Sequence, residues 1–168
     1  YNITNTHKPG TVDVSGKKIW KDNNNQDGIR PVSITIYLLA NGERIDSKVV
    51  SEESGWAYTF ANLDEYKAGE KINYTVEEVN VAGYETTIDG YNITNTHTPE
   101  LISVSGVKTW DDNDDQDGIR PESITVRLLA NGEEVKSKVV TEDNEWKYTF
   151  TNVPKYADGK EITYTVTE

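Results

Sequence analysis

Apolar residues alternate with polar ones in several short runs of the chain, and no run has the three-to-four-residue spacing of an amphipathic helix. Gly, Asn, Asp and Pro, the residues typical of turns, separate the runs. This pattern predicts an all-β sandwich. The clearest predicted strands are Thr11–Trp20, Ser33–Ala40, Glu43–Val50, Trp56–Ala61, Ile72–Glu78 and Tyr91–His97.

Two Asn-Gly pairs, at Asn41-Gly42 and Asn131-Gly132, lie between apolar runs. A two-residue hairpin turn requires residues that accept positive φ, and Asn followed by Gly meets that requirement. Each pair therefore predicts a β-hairpin.

The chain contains an internal repeat, because residues 1–78 align with residues 91–168 without a gap and more than half of the aligned positions are identical. The best-matched segments are YNITNTH, which occurs at Tyr1 and Tyr91, QDGIRP, and LLANGE. Such similarity indicates two copies of one fold.

Short Pro-containing segments follow both copies of YNITNTH, and we interpret them as linkers. We therefore expect residues 1–10 to be the final strand of a preceding repeat plus a linker. Residues 11–97 should form a complete domain. Residues 98–168 should form a second domain, truncated before its last strands.

Three predicted strands each direct one polar side chain towards the apolar face of the strand. Counting in steps of two from neighbouring apolar residues places Lys18, Glu78 and Asn95 on such faces. Glu77 has the opposite parity and is replaced by Thr167 in the second copy, so we interpret it as a surface residue. Because a buried charge without a partner is costly, we expect Lys18, Glu78 and Asn95 to meet in the core.

A low-dielectric site disfavours both charged forms, which would make Lys18 a neutral amine and Glu78 a protonated acid. The amine could then attack the side-chain carbonyl of Asn95, while the acid polarises that carbonyl and transfers protons to the departing ammonia. The product would be an amide between Lys18 and Asn95. The alternative is that each polar group lies at a strand end with its head in solvent.

The chain contains the motifs KIW and KTW at Lys18 and Lys108, Asp- and Asn-rich loops that end in QDGIRP, two LLANGE segments, YTVEE, YTVTE and ITNTH. Together these motifs resemble the B-repeat (Cna B-type) domains of Gram-positive collagen adhesins. The resemblance covers nearly the whole chain in both copies. It implies tandem prealbumin-like, inverse immunoglobulin-type sandwiches, each with an isopeptide bond between its first and last strands.

Carried onto this sequence, the resemblance implies a cross-link between Lys18 and Asn95, with Glu78 as its catalytic acid. In the second copy it implies the same roles for Lys108 and Glu168. No asparagine follows Glu168 in this sequence, so the second copy is not expected to form the bond within its own domain.

The segment Tyr1–His7 repeats the sequence of the predicted last strand and contains Asn5. One possibility is that it inserts into the second domain of another molecule and pairs Asn5 with Lys108, as donated strands do at open sheet edges. The other is an unpaired tail.

The loops Asn23–Gly28 and Asn113–Gly118 resemble the first half of a calcium-binding loop. The bidentate glutamate expected six positions after the glycine is missing, because Ile34 and Ile124 stand there. We interpret both loops as acidic turns, and we predict neither a metal nor another cofactor.

Composition excludes several functions. The net charge of −12 disfavours nucleic acid and anionic lipid, and no apolar run is long enough to cross a bilayer. Because the chain has neither Cys nor Met, thiol chemistry and disulfides are excluded as well.

The sequence therefore predicts a structural stalk or spacer module of a bacterial surface adhesin or pilus-like protein. We expect it to be extracellular, anchored to the cell wall of a Gram-positive bacterium, and to have neighbouring repeats as its partners. The alternative is an adhesive module that itself binds host matrix protein or glycan. An enzyme is not expected, since the internal reaction would use its own residues once.

Overall fold

The computed structural model describes all 168 residues and divides the chain into two compact units. The first comprises residues 1–24 and 29–98, and the second comprises residues 25–28 and 99–168. Both units are built almost entirely from β-strands. No helix is long or apolar enough to cross a membrane.

The strands of the first unit are β1 (Thr11–Lys21), β2 (Ser33–Ala40), β3 (Glu43–Ser51), β4 (Ala57–Asp64), β5 (Tyr66–Lys67), β6 (Glu70–Lys71), β7 (Tyr74–Glu78), β8 (Glu85–Asp89) and β9 (Asn92–Thr96). One sheet has the strand order β4-β1-β9-β8 and a second has the order β3-β2-β7. The short strands β5 and β6 pair with each other.

Apolar residues from both sheets form one core, and this confirms the predicted β-sandwich. Val14, Phe60 and Ile93 come from the four-stranded sheet, while Ile36 and Leu38 come from the other. All five are at most 2% exposed. Alternate residues of β1, β7 and β9 therefore face a dry interior.

One pairing differs from all the others in the unit. The first strand, β1, lies parallel to the last strand, β9, with Lys18 opposite Ile93 and Trp20 opposite Asn95. The remaining ladders are antiparallel. The two ends of the domain sequence are therefore neighbours in one sheet.

The second unit contains β10 (Leu101–Val107), β11 (Ser123–Ala130), β12 (Glu133–Thr141), β13 (Lys147–Pro154), β14 (Tyr156–Ala157), β15 (Lys160–Glu161) and β16 (Tyr164–Thr167). Strands β10 and β13 pair, β12-β11-β16 form a three-stranded sheet, and β14 pairs with β15. This arrangement repeats that of β1–β7.

Both predicted hairpins are confirmed. Asn41 and Gly42 connect β2 to β3 with φ values of 50° and 88°, and Asn131 and Gly132 connect β11 to β12 with φ values of 50° and 92°. Positive φ at both central residues matches the right-handed twist of the flanking strands.

The predicted strand Trp56–Ala61 was wrong at its start. A 3-10 turn at Glu52–Ser54 ends in left-handed Gly55, and Trp56 also has a positive φ of 55°, so β4 begins at Ala57. Trp56 still packs against the core. The sequence prediction also omitted β8, an edge strand of exposed residues that pairs only with β9.

Candidate functional site

Lys18 lies on β1 with its side chain in the core of the first unit. Strand alternation places it on the same face as Val14 and Trp20, and the residue is only 4% exposed. Its ammonium group is 4.3 Å from the centre of the Trp20 ring, a cation-π contact. A primary amine is thus held where water hardly reaches it.

Asn95 reaches the same place from the adjacent strand. Because β9 runs parallel to β1 with Trp20 opposite Asn95, Lys18 and Asn95 are diagonal neighbours on the inner face of one sheet. Asn95 and Ile93 are both fully buried, with 0% exposure.

Two contacts hold β9 against β1 at its start. The Tyr58 hydroxyl donates to the backbone carbonyl of Tyr91, and the Lys17 backbone N–H donates to Asn92 Oδ1 at 3.0 Å. Glycine is required at Gly16, because a Cβ there would clash with the Tyr91 carbonyl oxygen. These contacts fix the register in which Asn95 is the diagonal neighbour of Lys18.

Glu78 approaches from the opposite sheet, as the last residue of β7. Its Oε1 atom lies 2.8 Å from Lys18 Nζ and accepts a hydrogen bond of 3.2 Å from Asn95 Nδ2. The Glu78 side chain is 1% exposed. The structure therefore brings together all three residues that the sequence singled out in the first copy.

Burial lowers the pKa of Lys18, and the adjacent Glu78 carboxyl opposes that shift only in part. The contact between Lys18 Nζ and Glu78 Oε1 is short but lacks the angles of an aligned hydrogen bond. Lys18 is therefore closer to giving up its proton than an ordinary surface lysine, and a carboxylate is in place to accept it.

The Asn95 amide is only half satisfied. Its Nδ2 donates to Glu78, but its Oδ1 is buried without a hydrogen-bond partner. Such an orphan acceptor costs roughly 1–3 kcal/mol. If Glu78 gains the Lys18 proton, a half-turn of the amide lets the new O–H donate to Oδ1, which removes the cost and polarises the carbonyl.

A comparison with known proteins places the chain in a family. The model of the Cna protein B-type domain matches residues 14–96 and 104–168. The chain belongs to the Cna B-type domain family. Both units are B-type domains, and we refer to them below as the first and second B-type domain.

The chain is similar to a collagen adhesin of Staphylococcus aureus, with 47% identity over 173 residues, 99% of this chain and 15% of the relative. Among solved structures, two B repeat units (B1B2) of the S. aureus collagen-binding protein match with a TM-score of 0.86 and 46% identity, over 95% of this chain and 44% of that one. A single B1 unit matches with a TM-score of 0.52 and 42% identity, over 94% of this chain and 85% of that one. The chain thus spans less than a sixth of the curated adhesin that it matches.

The second B-type domain holds a related but more open pair. Lys108 Nζ lies 2.8 Å from Glu168 Oε2, and it is 4.5 Å from the centre of the Trp110 ring. The side chains of Lys108 and Glu168 are 24% and 51% exposed, compared with 0% and 1% for Lys18 and Glu78.

A cleft of about 220 Å³ adjoins this pair, lined by Val107, Lys108, Ile124, Val126, Tyr148, Val166, Thr167 and Glu168. Asn5 is the partner that we considered for Lys108 from the sequence, and its side chain is exposed. It lies in Tyr1–His7, a segment without strand pairing. Whether that segment is the final strand of a preceding repeat stays a prediction.

Glu77 lies on the outer face, as predicted, where both of its carboxylate oxygens accept hydrogen bonds from Arg44. The hydrogen bonds from Arg44 lower the pKa of Glu77. The structure contains no cluster of His, Asp and Glu suited to a metal ion.

The sequence prediction missed Thr86. This residue lies on β8 directly opposite Asn95, and its Oγ1 donates a 3.0 Å hydrogen bond to Glu78 Oε2. The signal that could have revealed it is Gly90, which accepts a positive φ at the first position of a two-residue turn, Gly90-Tyr91, between the β-branched run Thr86–Ile88 and the predicted last strand. Recognition of that hairpin would have put Thr86 beside Asn95.

Proposed function

We propose that the chain is a spacer segment in the stalk of a bacterial surface adhesin, and that its first B-type domain cross-links itself through an amide bond between Lys18 and Asn95. The observation that carries this proposal is the buried cluster in which Lys18 Nζ and Asn95 Nδ2 both contact Glu78 Oε1. An amine, an amide and a carboxyl group in one dry site are the components that amide exchange requires.

The reaction begins with transfer of a proton from Lys18 Nζ to Glu78 Oε1, which leaves a neutral amine and a carboxylic acid. The acid donates its hydrogen to Asn95 Oδ1 and makes the side-chain carbonyl carbon more electrophilic. Lys18 Nζ then attacks that carbon, and a tetrahedral intermediate forms.

Collapse of the intermediate breaks the bond between the Asn95 side-chain carbon and Nδ2. Glu78 accepts the second proton from Lys18 Nζ and supplies one to Nδ2, and ammonia leaves with the electron pair of the broken C–N bond. The proton on Asn95 Oδ1 returns to Glu78 as the carbonyl re-forms and passes to the departing ammonia, which leaves as ammonium, so Glu78 ends as the carboxylate that it was at the start. One C–N bond forms and one breaks, with no change of oxidation state. Each domain reacts once and no free catalyst remains, which is why we do not propose an enzyme.

The topology explains what the bond would achieve. Tension applied to the two ends of the domain pulls the parallel strands β1 and β9 in opposite directions. A covalent bond between Lys18 and Asn95 would carry that force directly from one strand to the next. The residues between them would then lie outside the force path, as a stalk element under tension requires.

Single-molecule pulling on the ends of the chain tests this function. We expect the parent chain to show no extension from residues 19–94, whereas Asn95→Ala should add about 3.4 Å for each of those residues as its first domain unfolds. The second domain is the internal control, because its extension should be the same in both chains. Equal extension of the first domain in parent and variant would contradict the stalk mechanism.

Location and partners follow from the same proposal. We propose that the chain is displayed outside the cell, anchored through its parent protein to a Gram-positive cell wall, with neighbouring B-type repeats as its contacts. The similar S. aureus protein is a collagen adhesin, which makes direct binding of matrix protein the rival function. Saturable binding of the isolated chain to collagen would favour the rival.

For the second B-type domain we propose a partner in another molecule of this chain. Tyr1–His7 has the same sequence as Tyr91–His97, so Asn5 takes the place of Asn95 if the segment docks beside β10. Lys108 and Glu168 would then cross-link to Asn5. Concentrated chain should form multimers that resist denaturant, and Asn5→Ala should abolish them while Asn2→Ala does not; multimers unchanged by Asn5→Ala would contradict this pairing.

A further inference from the structure

The Glu78 carboxyl group has two oxygens with different surroundings. Oε1 contacts both groups that would react, Lys18 Nζ and Asn95 Nδ2. Oε2 faces the other way and accepts a 3.0 Å hydrogen bond from Thr86 Oγ1. Thr86 therefore holds the oxygen of Glu78 that faces away from Lys18 and Asn95 and leaves Oε1 directed towards them.

The backbone explains why Thr86 is in this position. Antiparallel pairing of β8 with β9 sets Thr86 directly opposite Asn95, so both side chains project from the same face of the hairpin. One hairpin thus supplies the amide that would be attacked and the hydroxyl that holds the acid. Glu78 belongs to the opposite sheet, so the hydrogen bond from Thr86 also joins the two sheets.

The hydrogen bond has a chemical consequence for the proton. While Thr86 donates to Oε2, that oxygen acts as an acceptor, and a proton arriving from Lys18 stays on Oε1. Oε1 is the oxygen within hydrogen-bond reach of the Asn95 amide. Without the hydroxyl, the carboxyl group can rotate and carry its proton away from the carbonyl that it must polarise.

We propose that Thr86 is a positioning residue for the cross-linking reaction, orienting Glu78 so that its Oε1 serves both Lys18 and Asn95. This inference rests on the proposed function, since it assumes that the bond forms. Thr86 lies on an exposed edge strand, so the loss of its hydroxyl should impair the reaction much more than the fold.

The test compares Thr86→Val, which keeps the branched shape but removes the hydroxyl, with Thr86→Ser, which keeps the hydroxyl. Thr87→Val is the matched control, since Thr87 is the next residue of β8 and projects from its other face. Each chain is produced in a short cell-free translation pulse and quenched in denaturant at intervals. The fraction that has lost one ammonia is then measured by intact mass.

We expect Thr86→Val to form the bond about tenfold more slowly than the parent, because a hydrogen bond to a charged group is lost. Thr86→Ser and Thr87→Val should stay within about twofold of the parent. In a Lys18→Ala background, which cannot react, Thr86→Val and Thr87→Val should unfold at similar temperatures. That comparison separates positioning from stability.

Three results would overturn the inference while the proposed function stands: a parent rate in Thr86→Val, equal slowing in Thr86→Val and Thr86→Ser, or a slowing matched by Thr87→Val. If the parent itself never loses ammonia, the cross-linking proposal fails first. The two failures are therefore distinguishable in one experiment.

Discussion

Replacement of Glu78 by glutamine is expected to slow formation of the Lys18–Asn95 bond by about 10²–10⁴-fold, the usual contribution of a positioned acid-base group. Glutamine has nearly the same shape, but it neither accepts a proton from Lys18 nor donates one to the leaving nitrogen. The measurement is the intact mass of the denatured chain at increasing times after synthesis. The parent should lose one ammonia early, and Glu78→Gln should keep its full mass.

Two glutamate-to-glutamine variants are matched controls for this experiment. Glu77→Gln alters the neighbouring residue, which faces solvent and pairs with Arg44, and Glu168→Gln alters the aligned acid of the second B-type domain. Both should lose ammonia as fast as the parent. Circular dichroism of Glu78→Gln checks folding, and Glu78→Asp, which retains a shorter acid, should recover part of the rate. A folded Glu78→Gln chain that reacts at the parent rate would remove Glu78 from the mechanism.

The cross-link should also appear as a large coupling energy between Lys18 and Asn95. By analogy with a disulfide, a bond that closes a loop of this size stabilises by about 4 kcal/mol in the chain-entropy model. Asn95→Ala should therefore reduce the unfolding free energy of the first domain by at least that amount. In a Lys18→Met background, where no bond can form, the same change should cost only about 1–3 kcal/mol.

Denaturant unfolding measures this double-mutant cycle, and backbone amide resonances of the first domain allow it to be followed separately from the second. Contacting residues without a covalent bond couple by about 0.5–3 kcal/mol, so a coupling near 4 kcal/mol or above points to the bond. A coupling below about 1 kcal/mol would mean that Lys18 and Asn95 act independently. The second domain should unfold identically in all four chains.

Strand alternation in the sequence was sufficient to place three polar residues in the core. Lys18, Glu78 and Asn95 each occupy the parity of their apolar neighbours, and the structure buries all three side chains. Alternation works here because each of the three strands has one face on the sandwich interior. The surface position of Glu77 followed from the same rule.

Beyond the two Asn-Gly hairpins, strand alternation did not reveal which strands pair. The parallel contact of β1 with β9, and the approach of Glu78 from the opposite sheet, depend on tertiary packing that local alternation does not encode. Strand β8 was missed because Ile88 is its only apolar residue, which is too few to show an alternating pattern. Thr86 was missed with it.

Backbone geometry explains the remaining error. Trp56 was assigned to a strand because aromatic residues alternate after it, at Tyr58 and Phe60. Its positive φ of 55° is unusual for a bulky residue. Trp56 follows a 3-10 turn that the alternating pattern does not predict. Trp146 has the same geometry in the second domain, with a φ of 57°, so the turn belongs to the repeated fold.

The most direct test of the account is peptide mapping of the parent chain by tandem mass spectrometry after proteolysis in denaturant. The account predicts one branched peptide in which the side chains of Lys18 and Asn95 are joined, with a mass lower by one ammonia than that of the two separate peptides. That peptide should be absent from Glu78→Gln. Recovery of the two peptides separately from the parent, each with its unmodified mass, would contradict the central claim.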